Sequence, residues 1–349
     1  MDIKRLIALF IILSSFLYGC SNVHKKAHQN EANEAVTKVE LLYADFFTPA
    51  IVDDRLFVAV KSKKAKDDMC DILIERNIKT GEEKLIFESK YELGNVQGVK
   101  ANEKWLVWAD GDVWGSEVKF YAKNLKTGEV KLIYSKGEKE SITVPELWRD
   151  YLVWATDYDA TDGNRISEIV LLNLENGQMK KVGTIRNTCF INNFVSINNG
   201  RIIWADRDDK MNYYHIFDIN TSKTTSYEVP GNIIGEAYLV EGKIYSVDLK
   251  YGTEYPTENK LYVYDLATNE HKIVDENITR LRVFNNGLAY KKDKWKIYLN
   301  HKNLRPVDLD LGFEPLHYYV TGEGKYLVTG QSFFEEQRSV IYIIYPEKF

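Results

Sequence analysis

Eight aspartates fall in three short segments, each following a similar hydrophobic stretch: Asp110 and Asp112, then Asp157, Asp159 and Asp162, then Asp206, Asp208 and Asp209. Carboxylates at this density suit two kinds of chemistry. They can ligate a hard cation through oxygen, or attract a basic partner by their summed field. Aspartate is also a common filler of solvated turns, where its side chain bonds nearby backbone N–H groups. Trp114 lies among these acids, next to Gly115, and is a candidate aromatic contact; its alternative is packing against its own loop.

The second acidic segment can be read more sharply. Asp157, Asp159, Thr161 and Glu168, the twelfth position counting Asp157 as the first, offer oxygen at spacings that suit calcium. Gly163 comes one residue later than a calcium loop's sharp turn requires, and the flanks read as strand rather than helix, so calcium fits only in part. No other cofactor is indicated. His215, His271, His301 and His317 pair with no cysteine or second histidine at zinc-ligand spacing. A nucleophile elbow, a phosphate-binding loop and a dinucleotide-binding glycine fingerprint are all missing. The sequence therefore names no catalytic residue.

The elements that must position these acids repeat. DDRLFVAV, EKWLVWAD, RDYLVWAT, NGRIIWAD and EGKIYSVD begin at 53, 103, 149, 199 and 241. Each is followed by a second strand and a tight turn whose first residues, Asn77, Asn124, Asn173, Asp218 and Asp265, are spaced by 47, 49, 45 and 47. A period in the forties with alternating strands predicts four-stranded propeller blades. Weaker copies at 285–292 and 323–330 raise the anchors to seven: Val58, Trp108, Trp154, Trp204, Ser246, Tyr290 and Val328. Each anchor should mark the second strand of a blade, with the apolar pieces 144–147, 194–197 and 281–284 as innermost strands. Trp108, Trp154 and Trp204 then fill space between blades.

The last repeat lacks an outer strand before the chain stops at Phe349, while KVELLY at 38–43 has no blade of its own. The expected fold is therefore an all-β, seven-bladed β-propeller closed by an N-terminal strand that pairs with the C-terminal blade, which protects otherwise open sheet edges. The divergence of repeats five to seven leaves six or eight blades as alternatives. Gly81, Gly128 and Gly177 fall where the hairpin turn needs positive φ, with Ser222 and Asn269 in the same place later.

The unit of a VWAD-like strand, a gap, a strand and N-L-x-T-G resembles the TolB-like and WD-type propeller repeats of bacterial envelope proteins, from Asp53 onward. The resemblance speaks to fold, because the repeated residues are those that build blades. At the N-terminus, Lys4 and Arg5 precede an apolar run at 6–17. Twelve helical residues rise roughly 18 Å, short of a ~30 Å hydrocarbon core. The run ends in Leu17-Tyr18-Gly19-Cys20, which resembles a bacterial lipobox although Tyr18 is bulky for it. That resemblance implies a signal peptide at 1–19, lipidation of Cys20 and attachment to a bacterial membrane. Residues 20–37, poor in large apolar side chains, read as a tether, and 38–349 as the propeller.

A net charge of −5 gives no electrostatic reason to expect nucleic acid. Cys70 and Cys189 lie in repeats one and four and are not expected to bridge. The expected function is an extracytoplasmic, membrane-anchored scaffold that binds an envelope protein, peptide or glycan. The alternative is a polysaccharide lyase or hydrolase on the same fold.

Overall fold

A computed structural model describes residues 35–66, 69–137, 140–159, 165–186, 194–208, 211–229, 233–249 and 259–349. Cys20, Cys189, Asp162, Asp209, the expected signal peptide and most of the expected tether lie outside the described residues, as does the side chain of Asp159.

Seven antiparallel sheets form in chain order. Their innermost strands are Phe46–Val52, Gly94–Ala101, Glu146–Trp148, Val195–Asn198, Ile233–Val240, Arg280–Phe284 and Tyr319–Thr321. Blade 3 has a split inner edge, because Ser141–Ile142 and Glu146–Trp148 both pair with Tyr151–Asp159. The seven anchors all lie on second strands, as their spacing predicts.

In blade 7, Tyr319–Thr321, Tyr326–Phe333 and Arg338–Ile344 come from the C-terminus, and Val36–Leu41 supplies the outermost strand. The ladder runs from Val36 opposite Ile344 to Leu41 opposite Ser339. The closing strand thus begins two residues before the expected Lys38. Its inward residues Val39 and Leu41 join Val328, Ile341 and Ile343 with Val58 and Ile74 of blade 1 in one core cluster. The first strand of the chain therefore seals both the last sheet and the joint between last and first blades.

The tryptophans wedge against the preceding blade. Trp108 meets Phe87 of blade 1 with ring centroids 5.2 Å apart, and Trp154 meets Tyr134 of blade 2 at 5.0 Å. Trp204 lies so close to Gly183 of blade 3 that a Cβ there would fall 2.4 Å from the ring. Trp108 and Trp154 are fully buried and Trp204 nearly so. Removing one such ring typically costs about 3–5 kcal/mol.

The repeated Asn/Asp of the third-strand turn has a defined task. Asn77 Oδ1 accepts from the N–H groups of Lys79 and Thr80, and Asn124, Asn173 and Asp265 repeat the arrangement. The turn closes four residues on, where Gly81 and Gly128 have φ of +75° and +78°. Blade 6 does the same with Asn300 and, in the glycine's place, Leu304 at φ +31°.

Deleting residues 36–41 should lower the melting temperature by on the order of 10 °C or abolish the cooperative transition, since two buried side chains and a full ladder are lost. Deleting residues 21–34 should leave it unchanged. Thermal unfolding of both variants by circular dichroism checks this, and equal melting temperatures would contradict closure by this strand.

Candidate functional site

The innermost strands surround a central cavity of about 370 Å³. Strand pairing decides which side chains reach it. The residue eight positions before each anchor pairs with the residue just before that anchor: Lys100 with Val107, Glu146 with Val153, Ser196 with Ile203, Tyr238 with Tyr245 and Arg282 with Ala289. These five side chains therefore stand at one level in five consecutive blades, and all five line the cavity. Val320 holds that level in blade 7, and in blade 1 an irregularity between Phe47 and Ala50 puts Thr48 and Pro49 on the wall. The polar ring went unnoticed in the sequence because inner strands share no residue type. Counting back eight from the anchors would have found it.

Hydrogen bonds link adjacent blades around this ring. Thr48 Oγ1 accepts from the Val99 N–H at 3.2 Å, and Lys100 Nζ pairs with Glu146 at 2.7 Å. Ser196 Oγ donates to the Ala237 carbonyl at 3.0 Å and Tyr238 to that of Leu281 at 3.4 Å. Arg282 Nε donates to the Tyr318 carbonyl at 2.9 Å, and Thr321 Oγ1 accepts from the Ile51 N–H at 2.9 Å. Six of the seven joints thus carry a side-chain bond at the wall. Polar groups on an edge that no further strand covers need such partners.

One sector concentrates charge. Glu236 lies 3.4 Å from the Tyr238 hydroxyl and 4.0 Å from Arg282 Nη1, with a third of its side chain open to the cavity. Burial raises the Glu236 carboxyl above its ordinary range, and the nearby Arg282 guanidinium only partly opposes this. Burial and the Glu236 charge together push the Tyr238 hydroxyl well up, and burial holds Tyr319 up at about 12. Both phenols stay protonated as donors at neutral pH.

The aspartates singled out from the sequence are placed differently from an open rim. Asp110, Asp157 and Asp206 are buried on second strands. Asp110 accepts from Ser89 Oγ at 2.6 Å and the Lys90 N–H at 3.1 Å, at the link leaving blade 1. Asp206 accepts from the Arg186 backbone and guanidinium at 2.7 and 2.8 Å, at the link leaving blade 3. Asp248 holds the same register in blade 5 and takes the Lys260 N–H at 2.6 Å; the sequence reading passed over it. Asp157 accepts from Ser167 within its own blade. Asp112 and Asp208 close their loops through the N–H groups of Glu117 and Met211. Trp114 is 81% exposed. Among the described residues, no three His, Cys, Asp or Glu side chains converge as a metal site would need.

Two of these acids should respond oppositely to substitution. Burial pushes both up. In Asp206 the bonds from His215 and Arg186 outweigh burial and hold the carboxyl below its usual range; in Asp110 burial prevails. A depressed carboxyl stabilises the fold above the unfolded-state pKa, about 3.9, and that contribution fades as pH falls through the folded value. A raised carboxyl loses stability as pH rises through its folded value. Asp206→Asn should therefore cost about 1.5–3 kcal/mol at pH 7 and progressively less in acid. Asp110→Asn should be neutral or stabilising at pH 7, since an amide oxygen still accepts from Ser89 and Lys90. Urea unfolding of both variants at about pH 2.5, 4 and 7 measures this, the lowest pH reaching the window in which the Asp206 contribution fades.

No protein-family model matches the chain, and no curated protein matches it by sequence. Solved structures do. The β-propeller domain of the Trilobed protease from Pyrococcus furiosus, described with an open velcro topology, is 12% identical over 86% of this chain and 93% of its own, with a TM-score of 0.59. An oligogalacturonate lyase in complex with manganese is 11% identical over 89% and 91%, with a TM-score of 0.58. TolB from Acinetobacter baumannii is also similar, at 14% identity over 78% of this chain and 59% of its own, but its TM-score of 0.43 is too low to argue from. At these identities the likeness establishes fold, and the fold is a seven-bladed β-propeller, here with its ring closed by the N-terminal strand.

Proposed function

We propose that this protein is a lipid-anchored propeller lipoprotein outside the cytoplasm, whose central channel binds part of an envelope protein, peptide or glycan. The observation that carries this reading is the polar ring: five consecutive blades each give one polar or charged side chain to the wall of a single cavity, fixed in direction by inter-blade bonds. Concave sites with a few convergent polar groups are the usual form of ligand pockets. The lipobox-like Leu17-Tyr18-Gly19-Cys20 supports the anchor. The closing strand enters at the Ile344 end of blade 7, the face of the third-strand turns. A chain tethered through residues 20–34 would approach the membrane by that face and leave the other channel mouth turned outward.

A second reading, a polysaccharide lyase or hydrolase, has one observation in its favour. Glu236 is a carboxyl with raised pKa facing a cavity beside a tyrosine and an arginine, an arrangement suited to acid–base work. Against it, the raised Tyr238 is a poor base and Arg282 is spent on backbone carbonyls.

Two experiments test the proposal. Cys20→Ser should move the protein from the membrane fraction to the soluble one; normal maturation with retention in the membrane would overturn the anchor. Ser196→Trp, which fills the channel from its wall, should abolish capture of crosslinked partners from native membranes, and unchanged capture would place binding elsewhere. Oligosaccharide cleavage by the wild type that is lost in Glu236→Gln would favour the enzyme.

A further inference from the structure

Blade 6 gathers positive charge beside the cavity-lining Arg282 and answers only part of it. Arg280 and Lys291 are directly opposite each other across the first two strands of the blade. Cross-strand partners share a face, and like charges so placed are destabilising. Arg282 follows two residues along the same face, about 7 Å further into the channel. Neither Arg280 nor Lys291 makes an ion pair or side-chain hydrogen bond among the described residues. The nearby carboxylates are largely engaged: Asp275 takes Lys292, Lys296 and the Tyr290 hydroxyl, and Glu236 faces Arg282, with Arg280 contributing a weaker field at Glu236. In the segment entering blade 7, burial and then the fields of Arg280, Arg282 and Lys291 lower the pKa of His317.

Like charge that exceeds its nearby acids and repels itself in the empty protein is what an anion-binding site looks like before its ligand arrives. We infer that the blade 6 side of the channel mouth, formed by Arg280 and Lys291 with the charge of Arg282 behind them, is a subsite for the carboxylate or phosphate of a small acidic sugar. The inference rests on the channel being the ligand site and adds the ligand's chemical class. The cavity of about 370 Å³ suits one or two sugar rings rather than a folded partner. Tyr238, Tyr319 and Phe194 line the same cavity with Ser196 and Glu236, whose oxygens hydroxyls can bond.

The test has a ligand-free arm and a ligand arm. Without ligand, Arg280→Gln and Lys291→Gln should each raise the melting temperature in low salt, and the gain should shrink in high salt as screening removes the repulsion. A fall in melting temperature would overturn the inference. With ligand, calorimetric titration of the full chain uses a short oligouronate and a sugar phosphate, against neutral oligosaccharides of the same size. At least one acidic probe should bind, more tightly than its neutral counterpart by about tenfold or more, and the double variant Arg280→Gln/Lys291→Gln should erase that difference. Preference between the two acidic probes decides carboxylate against phosphate. Silence from both acidic probes at millimolar concentration, or equal binding of acidic and neutral probes, overturns the inference. The two readings fail separately. A neutral sugar whose binding is lost in Ser196→Trp but untouched by the double variant leaves the channel without the subsite. Acidic binding that needs Arg280 but survives Ser196→Trp leaves the subsite without the channel.

Discussion

The structure depends on one strand pairing. A propeller is a closed chain of wedges, each packed on the next, and it holds only if the last wedge is complete. Here the sheet that ends the chain has three strands of its own, and the fourth is Val36–Leu41 from the other end of the sequence. The six-residue ladder to Arg338–Ile344 converts a string of blades into a ring. Because Val39 and Leu41 also pack with Val58 and Ile74, the same segment joins blade 7 to blade 1. Contacts of such long sequence separation give little back until the rest of the fold is assembled.

The channel inherits its geometry from that closure. Its wall is built of short inner strands whose outer neighbours are fixed and whose inner edges have no further strand. Side chains take over there: threonine, serine, lysine, tyrosine and arginine bond across the joints. These bonds satisfy the edge and also set the direction of the groups a ligand would meet. The aspartates at the far ends of second strands act in a related way, since Asp110 and Asp206 tie a blade to the link arriving from the one before. Structural polarity thus lies at both the rim and the centre of the joints, while the tryptophans fill the apolar space between.

Much of this was legible in the sequence, and the reasons differ by element. Blade number followed from the anchors because second strands are buried on both faces and keep a readable apolar core. The closing strand was legible as a remainder: blade 7 lacked a strand and 38–43 lacked a blade. The turns were legible because Asn77 and its counterparts act locally, on N–H groups two and three residues away. The aspartates were harder. A carboxylate after a strand looks the same whether it faces water or a neighbouring blade, and only tertiary packing puts Asp110 and Asp206 inside. The channel ring was hidden for a further reason. Lys100, Glu146, Ser196, Tyr238 and Arg282 share a position but no chemistry, so no repeat of residue type marks them. The clash between Arg280 and Lys291 becomes visible only once register is known.

Ring closure by the N-terminal strand is the claim on which the channel and its ligand rest, and amide hydrogen exchange tests it most directly. If the closing strand is an integral member of blade 7, those amides of 36–41 that bond across the ladder should exchange as slowly as those of 340–344, through global unfolding alone. The alternate, outward-pointing amides of this edge strand should exchange faster. Exchange of the ladder-bonded amides that is orders of magnitude faster than in 340–344 would show a strand that comes and goes from a ring held closed by other means, and would contradict the account.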